Sequence, residues 1–324
     1  MKRQLLFLIS LSAIFFHLSV LADPGRHCPE SFEKLTQLVD RNFFETRRDF
    51  EKYTELFPPS FLSHLSNLKS DGHWLDAGSG EAFALQDFFN QTVIDEPSFT
   101  KNAESSFWRP RKIVLDPELL HEFASRLNAQ TPEEKPRVTG VSYKMLRADP
   151  QIPNLKLKIG RFFEDIPLSE FSPADLITDL YGVISYTPRL DEVLRRYHQL
   201  LKDSGRAYLF IGDYLSVPQY GGSRRLEKIS EEGWYSPFVS STVKKADGSN
   251  VSLLDWIRNL PGFRSKVEFV EILQPPRRGI SEGRIERRTL VLEKTQQTTH
   301  IPELKLIESD DGKPPLRKFE EVVQ

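Results

Sequence analysis

His73-Trp74-Leu75-Asp76-Ala77-Gly78-Ser79-Gly80-Glu81-Ala82-Phe83 changes character twice within one short stretch. His73 to Asp76 reads as a short buried strand, and Gly78-Ser79-Gly80 as a turn. From Glu81 to Asn90 the apolar residues Ala82, Leu85, Phe88 and Phe89 recur at helical spacing. Strand, glycine turn and helix in that order open a βαβ unit. Such a turn lets the main chain come close to a ligand beside a helix N-terminus.

The alternation resumes further along the chain. Arg137–Ser142, Leu155–Phe163, Ala174–Asp179 and Arg206–Ile211 read as further strands. Between the last two, Pro188 to Lys202 places Leu190, Val193, Leu194, Tyr197, Leu200 and Leu201 on one helix face. Thr187 suits its N-cap, Pro188 its first turn and Gly205 its stop. Ser252 to Leu260 reads as a short helix. Lys266–Leu273 and Ile285–Lys294 are strands joined by a link too short for a crossover, which suits an antiparallel pair. The expected architecture is α/β: a mostly parallel seven-stranded sheet with helices on both faces and one antiparallel strand near the C-terminal end.

Around this unit the divisions are as follows. Residues 31–57 carry a helical apolar pattern that Pro58-Pro59 stops, which gives an N-terminal helical extension over 23–60. The main domain is expected over 61–295. It holds a less regular insertion over 91–136, with a strand-like Ile113-Val114-Leu115 and a helix from Pro117 to Asn128. The polar tail over 296–324 is expected to be loose.

The first 22 residues read as a cleavable export signal. Lys2 and Arg3 precede the apolar run Leu5 to Phe16, and Val20-Leu21-Ala22 supplies a peptidase site before Asp23. The expected location is therefore periplasmic or secreted, with no stable membrane span after cleavage. Cys28 is the only cysteine, so no internal disulfide is available. The seven histidines show no metal-ligand spacing, and no metal is expected. A net charge of −2, or −4 once Lys2 and Arg3 are removed, argues against nucleic acid as a partner.

The glycine turn narrows the ligand. Phe83 stands where a dinucleotide site has its third glycine, and the P-loop lysine is missing. Asp76, two residues before Gly78, would repel a pyrophosphate and favour a ligand bearing an ammonium and a sulfonium. S-adenosylmethionine fits better than NAD or ATP, and an NAD-linked oxidoreductase is the weaker reading.

Leu75-Asp76-Ala77-Gly78-Ser79-Gly80 resembles motif I of the class I, Rossmann-like S-adenosylmethionine-dependent methyltransferases. Ala174 to Gly182 resembles that family's fourth strand and loop, and Leu200-Leu201-Lys202-Asp203-Ser204-Gly205-Arg206 the turn before its fifth strand. The likeness spans roughly residues 60 to 295, and together with the expected export signal the chain reads as an exported bacterial member. The likeness implies Asp76, Ala77, Gly78, Ser79 and Gly80 along the cofactor's methionine part. It places Ser142 near the ribose, where the family has an acidic residue, with Tyr143 or Asp116 as alternatives. The adenine falls near Phe162, Phe163 and Glu164 or Asp165. Asp179, Leu180 and Tyr181 face the sulfonium.

Asp179, Tyr181 and Tyr186 are the candidate catalytic groups, by position alone. Asp179 serves equally well as a loop cap. Trp234 and Tyr235 line an acceptor pocket or anchor their segment. Two functions follow: methyl transfer to a small-molecule or envelope acceptor, or an exported, non-catalytic binding protein that retains the fold.

Overall fold

The computed structural model describes residues 48–90, 112–113, 117–143, 151–216, 234–235, 237–274, 283–295, 300–310 and 315–323. The expected export signal, Cys28, Asp116 and most of residues 31–57 lie outside them. The helices are α1 (Phe50–Leu56), α2 (Pro59–Ser66), α3 (Phe83–Asn90), α4 (Pro117–Asn128), α5 (Val183–Tyr186), α6 (Leu190–Leu200), α7 (Pro237–Ser240) and α8 (Leu253–Arg258). The strands of the main sheet are β1 (His73–Asp76), β2 (Lys112–Ile113), β3 (Arg137–Ser142), β4 (Leu155–Ile159), β5 (Ala174–Asp179), β6 (Leu201–Ser216), β7 (Trp234–Tyr235), β10 (Phe263–Gln274) and β11 (Gly283–Lys294). A second sheet is built from β8 (Thr242–Lys244), β9 (Asn250–Ser252), β12 (Leu304–Ser309) and β13 (Arg317–Glu321).

Strands β4, β3, β1, β5 and β6 lie side by side in that order and run parallel. Beyond β6 comes β11, antiparallel to it, and then β10, antiparallel to β11 and so aligned with the first five. This is the Rossmann-like sheet of seven with one antiparallel strand. The short strands β2 and β7 add a pair of residues each, on β10 and β6.

Strict period-2 alternation puts a core on each face. Leu75, Ile177, Ala207, Leu209, Ile211, Leu290 and Leu292 face α6 and α8. Trp74, Leu176, Tyr208, Phe210 and Val291 face α1, α2, α3 and α4. On the latter side Trp74 is ringed edge-on by Phe50, Tyr53, Phe61 and Phe88.

The helical run ends before Pro58-Pro59 as expected, since α1 stops at Leu56. Pro59 then opens α2, because a first-turn proline gives up no hydrogen bond. Three expectations about boundaries change. The division expected at residue 60 falls inside α2, and α1 and α2 share one apolar cluster with β1. The helix expected from Pro188 starts at Leu190, with Arg189 at its cap. Thr187 Oγ1 instead accepts from the Arg189 amide at 3.0 Å. The largest change is in the tail, expected to be loose. It forms β12 and β13, and β13 pairs in parallel with β8, so Ile301, Leu304 and Phe319 are buried against α6 and α8. The partner strand lies some seventy residues upstream, so nothing local announces the pairing. No helix among the described residues is long and apolar enough to cross a membrane.

Candidate functional site

In an open α/β sheet, ligands bind beyond the carboxyl ends of the strands where the order reverses. Here that point is β1, with β3 on one side and β5 on the other. The turn after β1 is fastened to both neighbours. The Ala77 amide donates to Thr178 O at 2.9 Å, and the Ser79 amide and hydroxyl donate to Val141 O at 2.9 and 3.1 Å. Gly80 and Ala82 take left-handed backbone, with φ of 57° and 60°. The expected residues Asp76, Ala77, Gly78, Ser79 and Gly80 thus stand together at the switch point. The Ser79 side chain is spent on holding the turn.

Asp76 is fully buried. Its carboxylate accepts from Tyr53 Oη at 2.7 Å and from Thr178 Oγ1 at 2.8 Å, and that hydroxyl in turn accepts from Trp74 Nε1 at 2.8 Å. Burial pushes the Asp76 carboxyl up to about 6, with the two hydroxyl donors and the Arg48 charge acting against that rise.

This shift has a stability consequence. The folded state holds the proton more tightly than the unfolded chain, so Asp76 stabilises the fold most below about pH 4. That contribution is lost as pH rises through about 6. The full swing is about 3 kcal/mol. Unfolding of Asp76→Asn beside the wild type should show the variant gaining about that much, relative to wild type, between pH 4 and pH 7. A difference constant across that range would contradict the shift.

The second loop of the site follows β5. A Cβ added to Gly78 would sit 2.4 Å from Gly182 Cα, so the two loops touch backbone to backbone. Asp179 holds the second loop in place. Its carboxylate accepts from the Gly182 amide at 2.8 Å, the Ile184 amide at 2.9 Å and Tyr197 Oη at 2.6 Å. Burial raises its pKa, which these three donors oppose.

Two arginines fasten the same loop from opposite ends of the chain. Arg48 donates to Gly78 O at 2.6 Å and to Leu180 O. Arg317 donates to Ile184 O at 2.7 Å and Thr187 O at 2.6 Å, and burial pushes it down to about 10.

Several expected site residues are engaged within the fold. Asp179 is buried, and its carboxylate accepts from three internal donors and caps its own loop. Phe163 is a core residue, packed against Phe171 and Tyr197 at 5.5 and 5.4 Å. A 3-10 turn over Phe163–Asp165 rotates it inward. Glu164 goes with it, buried and accepting from Thr187 Oγ1. Burial raises its pKa.

Phe162 is the half-buried one, and its ring lies parallel to that of Tyr143, with centroids 6.1 Å apart and planes at 5°. Ser142, at the end of β3, is buried beside this pair. Tyr181 has φ of 47° and packs its ring edge-on against Phe210 at 4.7 Å. Tyr186 is held protonated by burial. Asp165 pairs with Arg189 at 2.8 Å. Trp234 and Tyr235 pair through their main chains with Tyr214 and Asp213.

Sequence reasoning missed Arg48, Tyr53, Thr178, Tyr197 and Arg317 as parts of the site. Tyr53 and Tyr197 read as apolar helix positions, and their hydroxyl partners come from other elements. Gly182 was within reach, since it closes the loop that follows β5.

No family model matches the chain, and no curated protein matches its sequence. Solved structures are similar in outline. Precorrin-6Y C5,15-methyltransferase from Geobacter metallireducens is 13% identical, with a TM-score of 0.32, over 73% of this chain and 86% of that one. Phosphoethanolamine N-methyltransferase 2 from Haemonchus contortus, in complex with S-adenosyl-L-methionine, is 13% identical with a TM-score of 0.34. That match covers 73% of this chain and 52% of that one, so this chain spans about half its length. The cyclase SpnF is 10% identical with a TM-score of 0.34, over 73% and 79%. Likenesses this distant decide nothing about chemistry, and the functional reading rests on this chain's own residues.

Proposed function

We propose that this chain binds S-adenosylmethionine at the turn after β1 and transfers its methyl group to a small-molecule or envelope acceptor. One observation carries the reading. The Asp76–Gly80 turn stands at the switch point of a Rossmann-like sheet, where it meets the Leu180–Gly182 loop over buried carboxylates. Main-chain carbonyls of Gly78 and Leu180, backed by Asp76 and Asp179, favour a cation and disfavour a pyrophosphate. Tyr143 and Phe162, beyond the ends of β3 and β4, offer aromatic faces to a base, and Ser142 beside them is the hydroxyl for a ribose.

The cofactor brings a carbon already activated by its sulfonium, so the protein's task is to align acceptor, methyl and sulfur. A base is needed only for an acceptor that must lose a proton. With Asp179 committed to its loop, Tyr181 is the remaining candidate at this strand end.

The alternative is a binding protein that keeps the fold without catalysis. Calorimetry with S-adenosylhomocysteine separates the possibilities. Saturable heat is expected from the wild-type chain and none from Asp76→Ala or Gly78→Val. No heat at millimolar ligand would end the cofactor reading. Once binding is seen, radiolabelled methyl transfer to envelope extracts distinguishes a catalyst from a binding protein. The export reading rests on residues 1–22, and N-terminal sequencing of protein recovered from cells should begin at Asp23.

A further inference from the structure

We infer that Arg48 is a built-in stand-in for the amino-acid end of the ligand, and that Arg48 and Asp49 form a gate the ligand must displace. The inference rests on the cofactor reading of the turn. Arg48 meets the site with both of its poles. Its guanidinium donates to Gly78 O and Leu180 O, the two carbonyls at the ends of β1 and β5. Its main-chain carbonyl accepts from the Ala84 amide at 2.9 Å, in the first turn of α3.

A free amino acid carries the same two functions, an ammonium that donates and a carboxylate that accepts. The guanidinium therefore stands where the ligand's ammonium would find its acceptors. The Arg48 carbonyl takes an amide of the helix terminus that would otherwise favour the ligand's carboxylate.

The surroundings fit a cation that can be exchanged. Burial raises the pKa of both Asp76 and Asp179, and the Arg48 charge opposes that rise in each. The corner therefore needs a positive group whichever molecule supplies it. Arg48 Nε is buried and finds no acceptor among the described residues, so the fit is incomplete. Phe50, Tyr53, Leu56 and Phe57 are buried in the core, so the exchange is confined to the residues before them, Arg48 and Asp49. α1 has seven residues, capped by Asp49 and tied to α3 by the Phe50 amide donating to Asp87 at 3.2 Å.

A competent state in which Arg48 has left the corner lowers apparent affinity by the fraction of time it is open. Two measurements on the full chain test the gate. In Arg48→Met, affinity for S-adenosylhomocysteine should rise about tenfold or more. Affinity for 5′-methylthioadenosine, which lacks the amino-acid end, should stay as in the wild type.

In the wild-type chain, saturating S-adenosylhomocysteine should speed exchange of the Phe50 and Lys52 amides, which Asp87 and the Asp49 cap hold, and 5′-methylthioadenosine should not. This second measurement does not depend on the variant folding. Binding of S-adenosylhomocysteine that is equally tight in both chains, or equal gains for both nucleosides, overturns the gate and leaves the cofactor reading standing. Slower exchange of those two amides on binding also overturns it. If neither chain binds either nucleoside, the cofactor reading falls and the gate with it.

Discussion

Gly78→Ala should unfold at a clearly lower denaturant concentration than the wild type and lose affinity for S-adenosylhomocysteine. The added Cβ would lie 2.4 Å from Gly182 Cα and 3.4 Å from its carbonyl carbon. Those are main-chain atoms, so no side-chain rotation relieves the clash and one loop has to move. Gly182→Ala meets the same obstacle from the other side. Its Cβ would sit 2.9 Å from Gly78 Cα and 2.7 Å from Asp179 Oδ1, the atom that accepts from the Gly182 amide.

Overpacking of this kind costs about 3 kcal/mol, a large share of a typical total of roughly 5–15 kcal/mol. Because both substitutions push the same two loops apart, the double variant should cost less than the two single costs added. Additive costs, or a Gly78→Ala chain as stable as the wild type, would show that the loops do not touch.

Deleting everything after Thr295 should be at least as damaging. The deletion strips β12 and β13 from the second sheet and exposes the surfaces that Ile301, Leu304 and Phe319 cover. Fully burying three such side chains is worth roughly 5–9 kcal/mol before the cost of ordering the segment. The deletion also removes Arg317 and the carboxylate of Glu321 that accepts from Trp256 Nε1 at 2.7 Å.

The narrower variant Arg317→Met leaves Ile184 O and Thr187 O without their donor and should cost about 3 kcal/mol. Because those carbonyls belong to the loop after β5, it should weaken ligand binding as well. Thermal unfolding of both chains checks this, and an unchanged midpoint in the truncated chain would restore the picture of a loose tail.

Much of the main sheet was legible because its cues are local. The apolar run His73–Asp76, the Gly78-Ser79-Gly80 turn and the spacing of Leu85, Phe88 and Phe89 sit within a few residues of one another. The face of α6 is written in Leu190, Val193, Leu194 and Tyr197, all buried as expected. The short link between β10 and β11 called for antiparallel pairing, and the ladder from Phe263–Lys294 to Gln274–Gly283 has it.

The second sheet was not legible. β13 shows only Arg317 and Phe319 inward, and a buried arginine looks like a surface residue in any hydropathy pattern. Phe162 and Phe163 could not be told apart for a related reason. Which ring turns outward depends on the 3-10 turn that follows, and no apolar spacing records that turn.

Spacing and composition were enough for the α/β class and for the place of the glycine turn. Periodicity reports which side of an element is apolar. The polar partners were settled by folding. Arg48 reaches Leu180 across 132 positions of chain, and Arg317 reaches Ile184 across 133. A buried donor takes whichever acceptor the packed helices and strands bring within about 3 Å. That choice gave the Asp179 carboxylate its three internal donors and set the Arg48 guanidinium against Gly78 O and Leu180 O.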